Sequence, residues 1–242
     1  MRKIYWAADS TVQTNKIMTY PQTGIGQVFS LYTKDDVAVI NYAKNGRSTK
    51  SFMDEGRLQQ IDEEIGTGDF LFIQFGHNDE KNQDPARYTE PFSTFMENLE
   101  TYIAVARKHG AYPVLISPLE RRCFVDDKHL GMGAHSDYVA AMKQTAEKCN
   151  VVLVDLYSMS RTELKKAGEI ASRKWYMYFS KGKYKNYPDG KTDNTHLRYD
   201  GAVLFAGLIA RGLQEAGGVY ADLLVEEETL NEKELGYRTE KG

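Results

Sequence analysis

The chain has 242 residues, 31 basic and 34 acidic side chains, a net charge of −3 and 41% hydrophobic residues. That length and apolar content suit a domain with a sizeable core and exclude a disordered or fibrous chain. The near-neutral charge gives no global attraction to nucleic acid, two cysteines are too few for a disulfide framework or a structural zinc site, and no apolar run approaches the ~20 residues of a membrane-spanning helix.

Residues 4–8 read as the first buried strand. This run meets Asp9 too soon to be the apolar stretch of a secretion signal, so a cytoplasmic location is expected. Residues 37–41, 70–75, 112–117 and 151–155 read as four further strands. Each is short, rich in β-branched or aromatic residues and without strict polar alternation, as expected of strands covered on both faces. Helical periodicity fills the intervals. Phe52, Leu58, Ile61 and Ile65 share a face over 52–65, Phe92, Phe95, Leu99, Ile103 and Ala106 over 92–109, and similar stripes run over 138–149 and 201–216. The alternation predicts an α/β fold with a parallel sheet between helices. With no repeat and no linker, one domain is expected over 1–242, with a core about 3–216 and a charged C-terminal extension about 224–242. The tail from Glu226 onward reads as a surface helix followed by a frayed end. Residues 118–135 and 173–191 break the pattern and read as long segments outside it, and Cys123 and Cys149 read as ordinary buried thiols.

Four short blocks at strand ends and before the last helix carry groups able to do chemistry. Ser10 follows the first strand, where its hydroxyl can be presented at the sheet edge; a helix N-cap is the plainer alternative. Asp193 precedes His196 by three residues. In a single turn the carboxylate can hold one imidazole nitrogen while the other serves a hydroxyl, although a helix-capping Asp beside a surface His has the same pattern. Gly46 permits close approach of a backbone N–H, and Asn78 offers a neutral carboxamide donor; both also suit ordinary turns. Ester hydrolysis needs such donors for its tetrahedral oxyanion.

Taken in order, Asp9-Ser10-Thr11, Asn41…Gly46-Arg47-Ser48-Thr49, Gly76-His77-Asn78-Asp79 and Asp193-Asn194-Thr195-His196 resemble the blocks of the GDSL or SGNH hydrolases. The likeness runs from Ile4 to about Ala216 and is nearest to the rhamnogalacturonan acetylesterase-like branch. One departure is Ala8 in place of the glycine that opens the family's first block, a methyl group expected to crowd the strand-to-turn corner. The resemblance implies a flavodoxin-like three-layer α/β/α sandwich with a five-stranded parallel sheet, and neither metal nor organic cofactor. It implies Ser10 as nucleophile, His196 as base and then acid, and Asp193 as its orienter. Ser10, Gly46 and Asn78 form the implied oxyanion hole.

The implied activity is a serine esterase releasing acetyl groups from a pectin-derived, rhamnogalacturonan-like oligosaccharide, with no nucleic acid or membrane partner. A broad short-chain ester hydrolase or acyltransferase is the alternative within enzymes, and a carbohydrate-binding protein without turnover is the alternative outside them. Oligomeric state leaves no mark in the sequence. Arg121 and Arg122 are candidates for meeting a substrate carboxylate, against a surface salt bridge. Trp175 and Tyr187, in a segment rich in lysines and aromatics, are candidates for stacking on sugar faces, as in a lid, against single-stranded nucleic-acid binding or plain amphipathic loop packing; the position of the segment just before Asp193 favours the lid. His129 and His135 match no zinc spacing and read as part of a solvated loop; His77 is expected to support its own loop.

Overall fold

The computed structural model describes residues 1–226; the charged tail expected beyond them lies outside the described residues. The strands β1 (Arg2–Ala8), β2 (Val37–Asn41), β3 (Phe70–Gln74), β4 (Tyr112–Ile116) and β5 (Val152–Val154) form one sheet in the order β2-β1-β3-β4-β5. All four neighbouring pairs are parallel. Alternate residues of each central strand enter different cores. Ile4, Trp6, Phe70, Phe72, Val114 and Ile116 face one apolar cluster, while Tyr5, Ala7, Leu71, Ile73 and Leu115 face the other. Apolar residues on both faces are what removed polar alternation from the sequence.

The helices α1 (Ile25–Val28), α2 (Thr49–Asp54), α3 (Arg57–Glu64), α4 (Met96–Lys108), α5 (Ser136–Cys149), α6 (Leu156–Ser172), α7 (Tyr199–Ala216) and α8 (Gly218–Ala221) complete the layers. Side chains of α1, α6 and α7 fill the first cluster, and those of α2 to α5 the second. The expected 52–65 helix is two helices. Gly56 takes a left-handed conformation and starts a new one, and a Ser48–Ser51 capping box sets the beginning of α2. The 92–109 helix begins as a π-turn over Pro91–Phe95. No helix was expected over Leu156–Ser172: few large apolar side chains face inward, and Gly168, at φ 78°, breaks it. No helix among the described residues is long and apolar enough to cross a membrane.

The 173–191 segment holds regular structure as well. Its strand β6 (Tyr176–Phe179) pairs antiparallel with β7 (Lys191–Leu197) as a separate two-stranded sheet. The buried-thiol reading fails at both cysteines, which are free: Cys123 is exposed in the loop after β4, and Cys149 is half-buried at the last residue of α5.

Candidate active site

In an open parallel sheet, the loops beyond the carboxyl ends of the strands meet where the strand order reverses. Here the chain passes from β1 outward to β2 and returns to β3 on the other side of β1. Ser10, Gly46 and Asn78 follow β1, β2 and β3 and thus arrive from three adjacent strands.

Ala8 ends β1 opposite Gln74 and is buried in the first core, so its methyl group is accommodated rather than crowding the corner. The Asp9 carboxylate accepts from the Thr11 N–H at 2.9 Å and the Thr11 hydroxyl at 2.8 Å. The Gln13 N–H donates to the Asp9 carbonyl at 3.2 Å, closing a tight turn around Ser10. No helix opens there, which removes the N-cap alternative.

The Gly46 turn is tied to this one. Lys44 N–H donates to the Ala8 carbonyl at 3.0 Å and Asn45 N–H to Gln13 Oε1 at 2.6 Å. Gly46 itself has φ 77°, a conformation that side-chain-bearing residues rarely adopt. Beyond β3, the buried Asn78 donates from Nδ2 to the Arg47 carbonyl at 3.0 Å, joining the second and third blocks. Buried Asp79 braces both. It accepts from Thr49 N–H at 3.0 Å, Thr49 hydroxyl at 2.6 Å, Thr89 hydroxyl at 3.0 Å and Gly76 N–H at 3.1 Å. Burial pushes its carboxyl up to about 7, against the hydrogen bonds from Thr49 and Thr89.

The fourth block sits on β7, inside an irregularity. Tyr178 pairs with Thr192 and Tyr176 with Leu197, so the residues between them on β7 bulge out of the ladder. Within the bulge, Asp193 Oδ1 accepts from Thr195 N–H at 2.9 Å and His196 N–H at 3.0 Å. Asp193 Oδ2 lies 2.8 Å from His196 Nδ1, and His196 Nε2 lies 3.0 Å from Ser10 Oγ, across 186 residues of sequence. With Nδ1–H given to the carboxylate, Nε2 is left to receive the serine proton. Burial pushes the Asp193 carboxyl up, but the hydrogen bonds from His196 and Thr195 outweigh it and hold the group well below the usual carboxylate range. Lys191 Nζ adds a positive charge 3.3 Å from Asp193 Oδ2.

Four residues read as substrate contacts have other work in the fold. Arg122 is 2% exposed. It ion-pairs with Glu169, covers the Tyr178 ring, and donates to the Asn194 carbonyl and side chain at 2.9 and 2.8 Å. It is neither a carboxylate fork nor a surface bridge. Arg121 donates to Thr195 Oγ1 at 3.0 Å and pairs with Glu80 at 3.0 Å. The two arginines therefore clamp the bulge that carries Asp193 and His196. Trp175 packs edge-on against Phe205 in the first core. Tyr187 packs against Phe179 and donates to the Thr19 carbonyl at 3.3 Å, with Lys191 Nζ over its ring. Phe179 and Tyr184 join it in a small aromatic cluster rather than an open stacking platform.

His129 is solvated and paired with Asp126, as the loop reading expects. His135 departs from that reading. It is fully buried, its ring tilted against that of His77 at 4.3 Å between centroids, and its Nδ1 lies 2.7 Å from Glu80. His77 Nδ1 lies 3.3 Å from Asp9 Oδ2, so the histidine supports the nucleophile turn from behind. Asp9, Asp79 and Lys81, which contacts Asn78, escaped sequence reasoning. The available signal was two aspartates adjoining motif residues at the ends of fully apolar strands, where a charge needs partners.

The family model of GDSL-like lipase/acylhydrolases matches residues 9–209. Rhamnogalacturonan acetylesterase RhgT of Bacillus subtilis is 40% identical over 93% of this chain and 95% of its own length. Probable rhamnogalacturonan acetylesterase YesY of the same organism is 41% identical over 93% of this chain and 98% of its own. Among solved structures, Bacillus subtilis YxiM superposes with a TM-score of 0.75 at 25% identity, over 89% of this chain and 57% of that one. The chain belongs to the GDSL-like lipase/acylhydrolase family and is a carboxylic ester hydrolase.

Proposed function

We propose that the protein is an acetylesterase acting on acetylated, rhamnogalacturonan-like oligosaccharides, with Ser10, His196 and Asp193 as its catalytic residues. The observation that carries this reading is the continuous line from Ser10 Oγ through His196, at 3.0 Å, to Asp193, at 2.8 Å. Identity of 40% to RhgT across nearly the whole chain supports the substrate class.

In this reading Ser10 Oγ attacks the acetyl carbonyl carbon while its proton passes to His196 Nε2. The carbonyl π electrons move onto oxygen, and the N–H groups of Ser10 and Gly46 with the Asn78 carboxamide receive the oxyanion. Collapse re-forms the carbonyl and breaks the bond to the sugar oxygen, which leaves with the proton from His196. Water then gives a proton to His196 and attacks the acetyl-serine; the second collapse returns that proton to Ser10 and frees acetate. Asp193, held ionised by its donors, stabilises the imidazolium in both halves.

Acetate release from acetylated rhamnogalacturonan oligosaccharides, acetylated xylan and p-nitrophenyl acetate tests the reading. The highest kcat/KM is expected on the first. Equal or better turnover of the other two would replace this reading with a broad short-chain esterase.

A further inference from the structure

The Asn78 side chain is held at both ends. Nδ2 donates to the Arg47 carbonyl at 3.0 Å, while Oδ1 accepts from Lys81 Nζ at 2.8 Å and Arg87 Nη1 at 3.4 Å. Cations on one side and a carbonyl on the other admit one orientation of the carboxamide. Asn78 is 3% exposed, so little water reaches it to share the task.

We propose that Lys81 is a positioning residue for ester hydrolysis that acts through Asn78: its ammonium locks the carboxamide and polarises it, strengthening the remaining Nδ2–H as a donor to the tetrahedral oxyanion. The inference rests on the reading of Asn78 as an oxyanion donor. An amide donates better as electron density is drawn onto its oxygen, and a charged donor at 2.8 Å draws more than a neutral one. Lys81 reaches back from the same turn, its own N–H donating to the Asn78 carbonyl at 3.3 Å, so the lysine and the amide move as one unit. Arg87 is the weaker partner. Its guanidinium is already engaged by Asp84, and its contact with Asn78 is longer.

The polarisation matters most when the oxyanion carries full charge and least for the neutral ester, so the effect belongs in kcat rather than KM. The test measures kcat and KM for p-nitrophenyl acetate, with thermal melts, in wild type, K81M, K81R, N78A and K81M/N78A. N78A is expected to lose about 100-fold in kcat, the usual cost of one oxyanion donor. K81M is expected to lose about 10-fold in kcat with KM within about twofold, K81R to recover most of it, and the double variant to match N78A alone. Unchanged kcat in N78A overturns the reading of Asn78 itself. A normal N78A loss alongside full activity in K81M, or an equal K81M loss in both backgrounds, overturns the role of Lys81. If K81M melts early, K81A serves in the same comparison.

Discussion

A serine hydroxyl is a weak nucleophile until its proton has a destination, and His196 provides one for Ser10 at 3.0 Å. Ser10→Ala removes the nucleophile without touching the Asp9 turn, which is closed by Thr11 and Gln13. Expected are an unchanged melting temperature and a loss of at least about 10⁴-fold in kcat on p-nitrophenyl acetate. Retention of a tenth of the activity would remove Ser10 from the mechanism. Behind the nucleophile, burial and the neighbouring His135 pull His77 down to about 4, against the attraction of Asp9. A histidine whose folded pKa lies below its unfolded 6.5 contributes stability that is complete above 6.5 and lost as pH falls towards 4. Asp79 has the opposite sign: raised from 3.8 to about 7, its contribution is complete below 3.8 and lost as pH rises through 7. Urea unfolding between pH 4.5 and 7 should therefore show His77→Gln less acid-sensitive than wild type and Asp79→Asn more so. Parallel pH profiles for all three proteins would refute this assignment.

The bulge in β7 is the element on which the site turns, since a regular strand would send Asp193 and His196 along an alternating pleat rather than into one turn. Its clamp is Arg122, and that clamp depends on Gly168. The left-handed break there leaves Glu169 to receive the guanidinium, and Glu169 N–H donates to Asp127. Arg122→Met removes one of the two arginines on Glu169, which keeps Arg173 at 2.8 Å, and leaves the Asn194 side chain without its guanidinium donor. A stability loss of about 2 kcal/mol is expected from the part-buried acceptor left unpaired, together with a fall in kcat. In R122M/E169M the apolar pair should recover much of the stability while kcat stays low, because the Asn194 side chain has lost its donor and only the main-chain bond from residue 122 remains. Recovery of kcat in the double variant would show that Arg122 acts on stability alone. The strand cores were legible in the sequence because both of their faces are apolar. The β6–β7 pair was hidden by the bulge, which destroys period-two alternation. For Arg121 and Arg122, residue type was legible but direction was not: Arg122 turns inward towards a glutamate 47 residues away.

At the scale of the whole molecule, the strand order places three motif loops side by side at the edges of β1, β2 and β3, and a separate two-stranded sheet delivers the fourth. Order and spacing of the motifs were enough to read that assembly, because each loop leaves a strand whose position the parallel fold dictates. The aromatic residues of 173–191 misled for a physical reason: composition cannot distinguish rings that stack on a ligand from rings that pack on each other. The loop between β6 and β7 has a further consequence. Lys181, Lys183 and Lys185 are exposed there, between Ser10 and His196 in the chain. A tryptic cut at these lysines would divide the enzyme into a larger piece bearing the nucleophile and a smaller one bearing the base, held together by the β6–β7 ladder and the packing of α7 on the first core. The nicked enzyme should remain active at micromolar concentration and lose activity on dilution, with recovery on reconcentration. Its turnover would then measure the association of two fragments, a naturally jointed complementation pair. A nicked enzyme whose specific activity does not depend on concentration would mean that the halves do not part.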